Sequence, residues 1–244
     1  MLLNAGLNNN QPSGLCSGSL ALNSKICILI PAHNEARTIV DVVRSVRQMG
    51  FSVVVIDDGS SDGCGRMAED AGAELLVNFK NQGKGFSLQR GFDHVISREY
   101  EALITMDADG QHAVSDLTAF GQLFEERKPD IICGNRMKDH RDMPVVRLWT
   151  NRIMSALISL VCRQRIYDTQ CGYRLIRCEV LRNIQLSSSA FEIESEVLIK
   201  ASKKNYRIES LPVKTIYGAE VSKINPLFDT VRFIVYIVRE MFVR

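Results

Sequence analysis

The sequence predicts an α/β protein: a mostly parallel sheet flanked by helices, followed by a C-terminal subregion of different rhythm. Three observations carry this. Short apolar runs alternate with longer segments whose apolar residues recur every three or four positions, and the alternation repeats four times between Lys25 and Cys133. The most apolar runs stop abruptly, at Pro31, Asp57 and Asp107. The polar clusters that follow them, Pro31–Glu35, Asp57–Asp62 and Asp107–His112, then fall at the carboxyl ends of strands, where open parallel sheets bind ligands.

Each element has its own signal. Ile26-Cys27-Ile28-Leu29-Ile30 is apolar throughout, as a strand covered on both faces must be. From Thr38 to Met49, Ile39, Val42, Val43 and Val46 mark one helical face. Val53–Ile56 is a second strand, and a short helix over about 65–71 leads to a third at Glu74–Val77. A helix opens at Gly83–Gly85 and runs to about Ser97. Ala102–Met106 is the fourth strand, Leu117–Glu126 a helix and Ile131–Cys133 the fifth strand. Beyond Gly134 the pattern predicts a long amphipathic helix over Val145–Cys162 and a short strand at Gly172–Ile176. It ends with a helix over 191–203, a strand at Arg207–Pro212 and a last helix over 225–243.

Composition narrows the class. The 244 residues are 45% hydrophobic and 24% charged, an ordinary globular balance that excludes whole-chain disorder. A net charge of +2 argues against a generic nucleic-acid coat. The charge is uneven: residues 1–135 hold 11 basic and 17 acidic side chains, residues 136–244 hold 19 and 11. The basic half suits phosphates or an anionic membrane. Seven cysteines show neither zinc-ribbon nor thioredoxin spacing and fit reduced thiols in a cytosol. Residues 1–24 carry no charged side chain, and 14 of them are Asn, Gln, Gly, Ser or Pro, which predicts a flexible leader. The longest charge-free apolar stretch, Ile153–Cys162, has ten residues, short of the roughly 18–20 that a spanning helix needs.

The chemistry sits on the predicted strand ends. Asp107-Ala108-Asp109 places two carboxylates one residue apart, a pair that can share a hard cation while diphosphate oxygens take its other positions; Gln111 and His112 are further candidate ligands. Gly83-Lys84-Gly85 lets a helix start approach an anion closely. The phosphate loop G-x-x-x-x-G-K-S/T and the dinucleotide fingerprint G-x-G-x-x-G are both absent.

The ordered series I-P-A-H-N-E, V-I-D-D-G-S-S-D-G, N-Q-G-K-G, D-A-D-G-Q-H, D-T-Q-C-G-Y-R-L and F-E-I-E-S-E resembles glycosyltransferase family 2, in the branch of dolichyl- and polyprenyl-phosphate mannose synthases. The resemblance covers about residues 25–225. It implies a GT-A fold and an inverting, Mg²⁺- or Mn²⁺-dependent transfer from a nucleotide-diphosphate sugar to a polyprenyl phosphate. By motif, Pro31, Ala32, Glu35 and Asp58 would hold the base and ribose, with Lys84 near the nucleotide pocket. Asp107, Ala108, Asp109 and Gln111 would form the metal and diphosphate segment. Arg136 and Arg152 would bind phosphate, followed by Arg174 and Lys223. Asp109, Arg136 and Asp168 are the catalytic candidates, Asp168 serving as base if the acceptor is a hydroxyl. Glu192, Glu194 and Glu196 read as acidic residues at a helix start. The only tryptophan, Trp149, lies outside any Q-x-x-R-W segment, so polymerisation is not expected.

The expected organisation is a leader (1–24), a transferase domain (25–226) and an amphipathic helix (227–244). The domain divides into a nucleotide-sugar half, 25–135, and an acceptor half, 136–226. The last helix suits either an interfacial position at the inner membrane face, on an otherwise cytoplasmic protein, or packing within the protein. Tyr217-Gly218 is a candidate lid hinge. A soluble or protein-bound hydroxyl acceptor, a nucleotide-sugar-binding module without activity, and a pyrophosphorylase on a related fold are the competing readings.

Overall fold

The computed structural model describes residues 22–138, 143–187 and 192–216. Its seven strands are β1 (Ile26–Ala32), β2 (Ser52–Asp57), β3 (Glu74–Val77), β4 (Ala102–Thr105), β5 (Ile131–Asn135), β6 (Arg174–Arg177) and β7 (Ile208–Pro212). The helices are α1 (Ile39–Gln48), α2 (Cys64–Asp70), α3 (Lys84–Ile96), α4 (Asp116–Arg127), α5 (Val145–Cys162), α6 (Cys178–Asn183) and α7 (Ile193–Lys203). A 3₁₀ turn, Arg136–Lys138, follows β5. That turn and the six-residue α6 are too short to carry a periodic signal, and sequence reading misses both.

All strands form one sheet in the order β3-β2-β1-β4-β6-β5-β7. Alternation along β1 divides the core. Ile26, Ile28 and Ile30 face the layer built with α1, α2 and α4; Cys27 and Leu29 face the layer built with α3, α5, α6 and α7. A strand sandwiched in this way has no solvent face, which is why its sequence is continuously apolar.

The strands run parallel except β6, which pairs antiparallel with both β4 and β5. Thr105 at the end of β4 lies opposite Arg174 at the start of β6. The reversal therefore brings the loop before β6 to the edge where β4 and β5 end. Sequence periodicity locates β6 but says nothing of its direction, which long-range pairing sets.

Leu22 is buried in the first core layer and Asn23 Nδ2 donates to the Met49 carbonyl at 2.7 Å, so packing begins by residue 22. The predicted helix over 225–243, Tyr217-Gly218 and Lys223 lie outside the described residues.

Candidate active site

β4 ends in Thr105, and Met106 leads to Asp107, whose carboxylate is held from two sides. Lys84 Nζ approaches Asp107 Oδ1 at 2.6 Å, and His112 Nε2 lies 3.2 Å from Oδ2. The same ammonium sits 3.0 Å from Glu194 Oε1, so Lys84 bridges the β4 end and the first turn of α7. Burial alone would push the Asp107 carboxyl up, but the Lys84 ammonium and His112 outweigh it and hold the group well below the usual carboxylate range. Burial likewise works against charge on Lys84, and Asp107 and Glu194 overcome it, holding the amine well above its ordinary value.

Lys84 is placed by Asp58. Its carboxylate accepts from Asn78 Nδ2 at 2.8 Å, Gln82 N at 2.9 Å and Gly83 N at 2.7 Å, which fixes the loop that starts α3. Gly83 there has φ +93°, a conformation open to glycine. Asp58, expected beside the base and ribose, is 4% exposed, and its oxygens hold this loop.

Pro31 and Ala32 close β1, and Asp58 N donates to the Ala32 carbonyl at 2.8 Å. The neighbouring turn is tied by Asp62, which accepts from Ala36 N and Cys64 N. Glu35 is partly exposed beside this turn. Thr38 Oγ1 donates to the Ala108 carbonyl at 2.7 Å, joining the start of α1 to the Asp107–Asp109 segment. Asp109 Oδ1 accepts from Gln111 N at 2.9 Å, and Ile216 N donates to the Gln111 carbonyl. Asp109 and Gln111 are therefore joined within the loop that follows β4.

The residues present fit a hard divalent cation. Asp107 and Asp109 stand two residues apart on a partly exposed strand-end loop, and Gly172 packs so tightly against Asp107 that a Cβ would come 3.0 Å from both Asp107 Oδ2 and Lys84 Nζ. Among the described residues no group of three or more His, Cys, Asp or Glu forms a complete ligand set. The remaining coordination must come from a donor such as a diphosphate and from water.

The loop before β6 brings Asp168, fully buried, against Arg136. Arg136 Nε donates to Asp168 Oδ2 at 2.8 Å and Nη2 to Oδ1 at 3.0 Å, a two-pronged ion pair. Arg136 N and Gln170 N also donate to this carboxylate. Asp168, the base expected for a hydroxyl acceptor, is thus fully buried with both carboxylate oxygens paired. The Arg174 guanidinium, 1% exposed, donates to the Cys171, Glu194 and Thr169 carbonyls and pins this loop to α7. Arg152 lies on the exposed side of α5, 5.8 Å from the Trp149 ring centre.

The three acidic residues at the α7 start part company. Glu194 faces Lys84, whereas Glu196 is buried and accepts from Ser187 N and Oγ. Sequence reading missed Glu194 and Gly172. The only available signal was their place inside the two motifs, F-E-I-E-S-E and D-T-Q-C-G-Y.

The α/β sheet gathers an aspartate pair, a lysine and a buried guanidinium at one edge, and its fold is that of the GT-A glycosyltransferases. The family model "Glycosyl transferase family 2" matches residues 27–185, and the chain belongs to that family. It is 34% identical to glycosyltransferase AglJ of Haloferax volcanii over 77% of this chain and 61% of that protein, so it spans about three fifths of that relative. It is 27% identical to the UDP-N-acetylglucosamine–dolichyl-phosphate N-acetylglucosaminyltransferase of Methanococcus voltae, over 79% of this chain and 86% of that one. The fold matches glucosyl-3-phosphoglycerate synthase of Mycobacterium tuberculosis, solved with Mn²⁺, UDP and phosphoglyceric acid. The TM-score is 0.70 at 16% identity, covering 93% of this chain and 83% of that one.

Proposed function

We propose that the protein transfers one sugar, with inversion and divalent-metal dependence, from a nucleotide-diphosphate sugar to a polyprenyl phosphate. The observation that carries this is the closed Arg136–Asp168 pair. A hydroxyl acceptor needs a carboxylate to take its proton, and Asp168 already accepts from Arg136 and Gln170. A phosphate acceptor is ionised near neutral pH and needs no base; what it needs is a positive group, for which Arg136, whose Nη1 is not engaged by Asp168, is the candidate. The dolichyl-phosphate acceptor in the name of the Methanococcus relative supports the same reading.

In this reading Lys84 and the Asp107–Asp109 loop orient the donor diphosphate. Asp107 and Asp109 would hold a divalent cation, which when bound would offset the negative charge that develops on the departing nucleoside diphosphate. An acceptor phosphate oxygen attacks the anomeric carbon from the face opposite the diphosphate. One C–O bond forms as another breaks, and no proton moves. Arg152 and Lys223 are the further phosphate-binding candidates. Peripheral attachment at a cytoplasmic membrane face is part of the proposal.

The test is to incubate the protein with labelled nucleotide sugars and either a polyprenyl phosphate or the matching polyprenol. Label in the lipid phase with the phosphate alone, joined in the anomeric configuration opposite to the donor, is the expected result. Transfer to the polyprenol, or release of pyrophosphate, would overturn it.

A further inference from the structure

We propose that Glu194 is a positioning residue for Lys84: it receives the Lys84 ammonium when a divalent cation takes Asp107, so that cation and donor diphosphate load the site together. The inference rests on the donor half of the reading above and takes nothing from the acceptor. Lys84 Nζ stands 2.6 Å from Asp107 Oδ1 and 3.0 Å from Glu194 Oε1. His112 Nε2 takes the other side of Asp107, 3.2 Å from Oδ2. A cation that binds Asp107 uses lone pairs of these same oxygens and repels the ammonium. The Asp107 side chain is 31% exposed, so ions can reach it, but it already has a positively charged partner.

Both carboxylates are anchored, and the lysine stem between them is the part that can move. Asp58 holds Gln82 N and Gly83 N, which fixes the backbone just before Lys84 and leaves its four-carbon stem free. On the α7 side, Arg174 Nη1 donates to the Glu194 carbonyl, and Nη2 lies 3.9 Å from Glu194 Oε2. Arg174 is itself tied to the Cys171 and Thr169 carbonyls, so it stays in place. Glu194 Oε1 is buried and has no aligned hydrogen bond at its present distance from Lys84, which leaves it able to accept one as the ammonium shifts. Gly172 closes a further side, where even a methyl group would meet Lys84 Nζ at 3.0 Å.

Among the described residues, Asp107 and Glu194 are the two carboxylates within 4 Å of Lys84 Nζ. An ammonium driven off Asp107 therefore has one buried counter-charge to go to. Without Glu194 it would stay beside the incoming cation or give up its pairing. A cation alone must break the Lys84–Asp107 pair, whereas a diphosphate arriving with it offers negative charge to both positive groups. Cation and diphosphate then strengthen each other's binding, and the coupling passes through Lys84.

The test is Mn²⁺ binding to the full chain, read from the electron paramagnetic resonance of free Mn²⁺, with the metal alone and with UDP or GDP. Lys84→Met should raise affinity for Mn²⁺ alone on the order of tenfold and remove most of the enhancement by nucleotide. Lys84→Gln removes the same charge but keeps a hydrogen-bond donor, and should act in the same direction. Glu194→Gln should lower affinity for Mn²⁺ alone on the order of tenfold. In the Lys84→Met background, Glu194→Gln should change it by less than about threefold, because Glu194 then has no ammonium to hold. Melting curves check that each variant is folded. Folded Lys84 variants that bind Mn²⁺ no better than the unmodified protein would overturn the proposal. So would an equal loss from Glu194→Gln in both backgrounds, the mark of a carboxylate that touches the metal itself. No acceptor enters these titrations, so a hydroxyl acceptor in place of a polyprenyl phosphate would leave every result unchanged. Failure of the unmodified protein to bind Mn²⁺ with either nucleotide would overturn both this inference and the donor site on which it rests.

Discussion

Asp107 and Asp109 sit two residues apart but are held differently. Asp107 is locked by Lys84 and His112, whereas Asp109 shares a partly exposed loop with Gln111. Asp109→Asn keeps an oxygen to accept from Gln111 N, so unfolding free energy should stay within about 0.5 kcal/mol. Transfer should fall on the order of a hundredfold or more, because the carboxylate charge opposite the diphosphate site is gone. Activity close to wild type would remove Asp109 from the site. The Arg136–Asp168 pair behaves in the reverse way. Removing one partner alone, as in Asp168→Ala, strands a buried charge and should cost about 3–5 kcal/mol in urea unfolding. Arg136→Met with Asp168→Leu should recover most of that stability and still fail to transfer. A double variant as unstable as the single would show that the stranded charge is not the source of the loss.

At the scale of elements, the site is made by where one antiparallel strand begins. The loop into β6 carries Asp168, Gly172 and the carbonyls that Arg174 grips, and it meets the ends of β4 and β5. Gly172 is where this loop meets Asp107 and Lys84. A methyl group there meets Asp107 Oδ2 and Lys84 Nζ at 3.0 Å. Lys84 has a flexible stem and can yield, so Gly172→Ala should leave the melting temperature nearly unchanged. Donor affinity should weaken on the order of tenfold, because the Lys84–Asp107 geometry shifts. Calorimetry with nucleoside diphosphate separates the two, and a large stability loss with normal affinity would contradict this placement.

At the scale of the whole molecule, the two core layers enclose thiols that face no solvent. Burial pushes Cys27 and Cys171 up to about 12, and Cys133 and Cys162 up to about 11, from an ordinary value of 9.0. The acidic form is thus favoured in the folded state. Its stabilisation is complete below pH 9 and drains away as pH rises through 11 to 12, because only the unfolded chain releases those protons. Melting temperature should therefore fall steadily above pH 9. At pH 8.5 the six described cysteines should resist iodoacetamide in the native protein and react fully in urea. Rapid native alkylation at Cys27 or Cys171, read by mass spectrometry, would show that these layers open.

The sequence by itself determined the elements and the edge on which chemistry gathers. Ile26–Ile30 had to be a doubly covered strand, Ile39, Val42, Val43 and Val46 had to be one helix face, and Asp107–Asp109 had to follow a strand, because these are local consequences of period and chain stops. Tertiary structure alone decided which polar side chains face the site. Asp58 and Arg174 sit in motifs as prominent as that of Asp107, yet each is buried and held by three hydrogen bonds. Glu194 and Glu196 stand two residues apart on one helix start, and only the packing of α7 sends one to Lys84 and the other to Ser187. The direction of β6 belongs to the same class. Pairing between strands distant in the chain is paid for by the assembled sheet, and no local pattern records it.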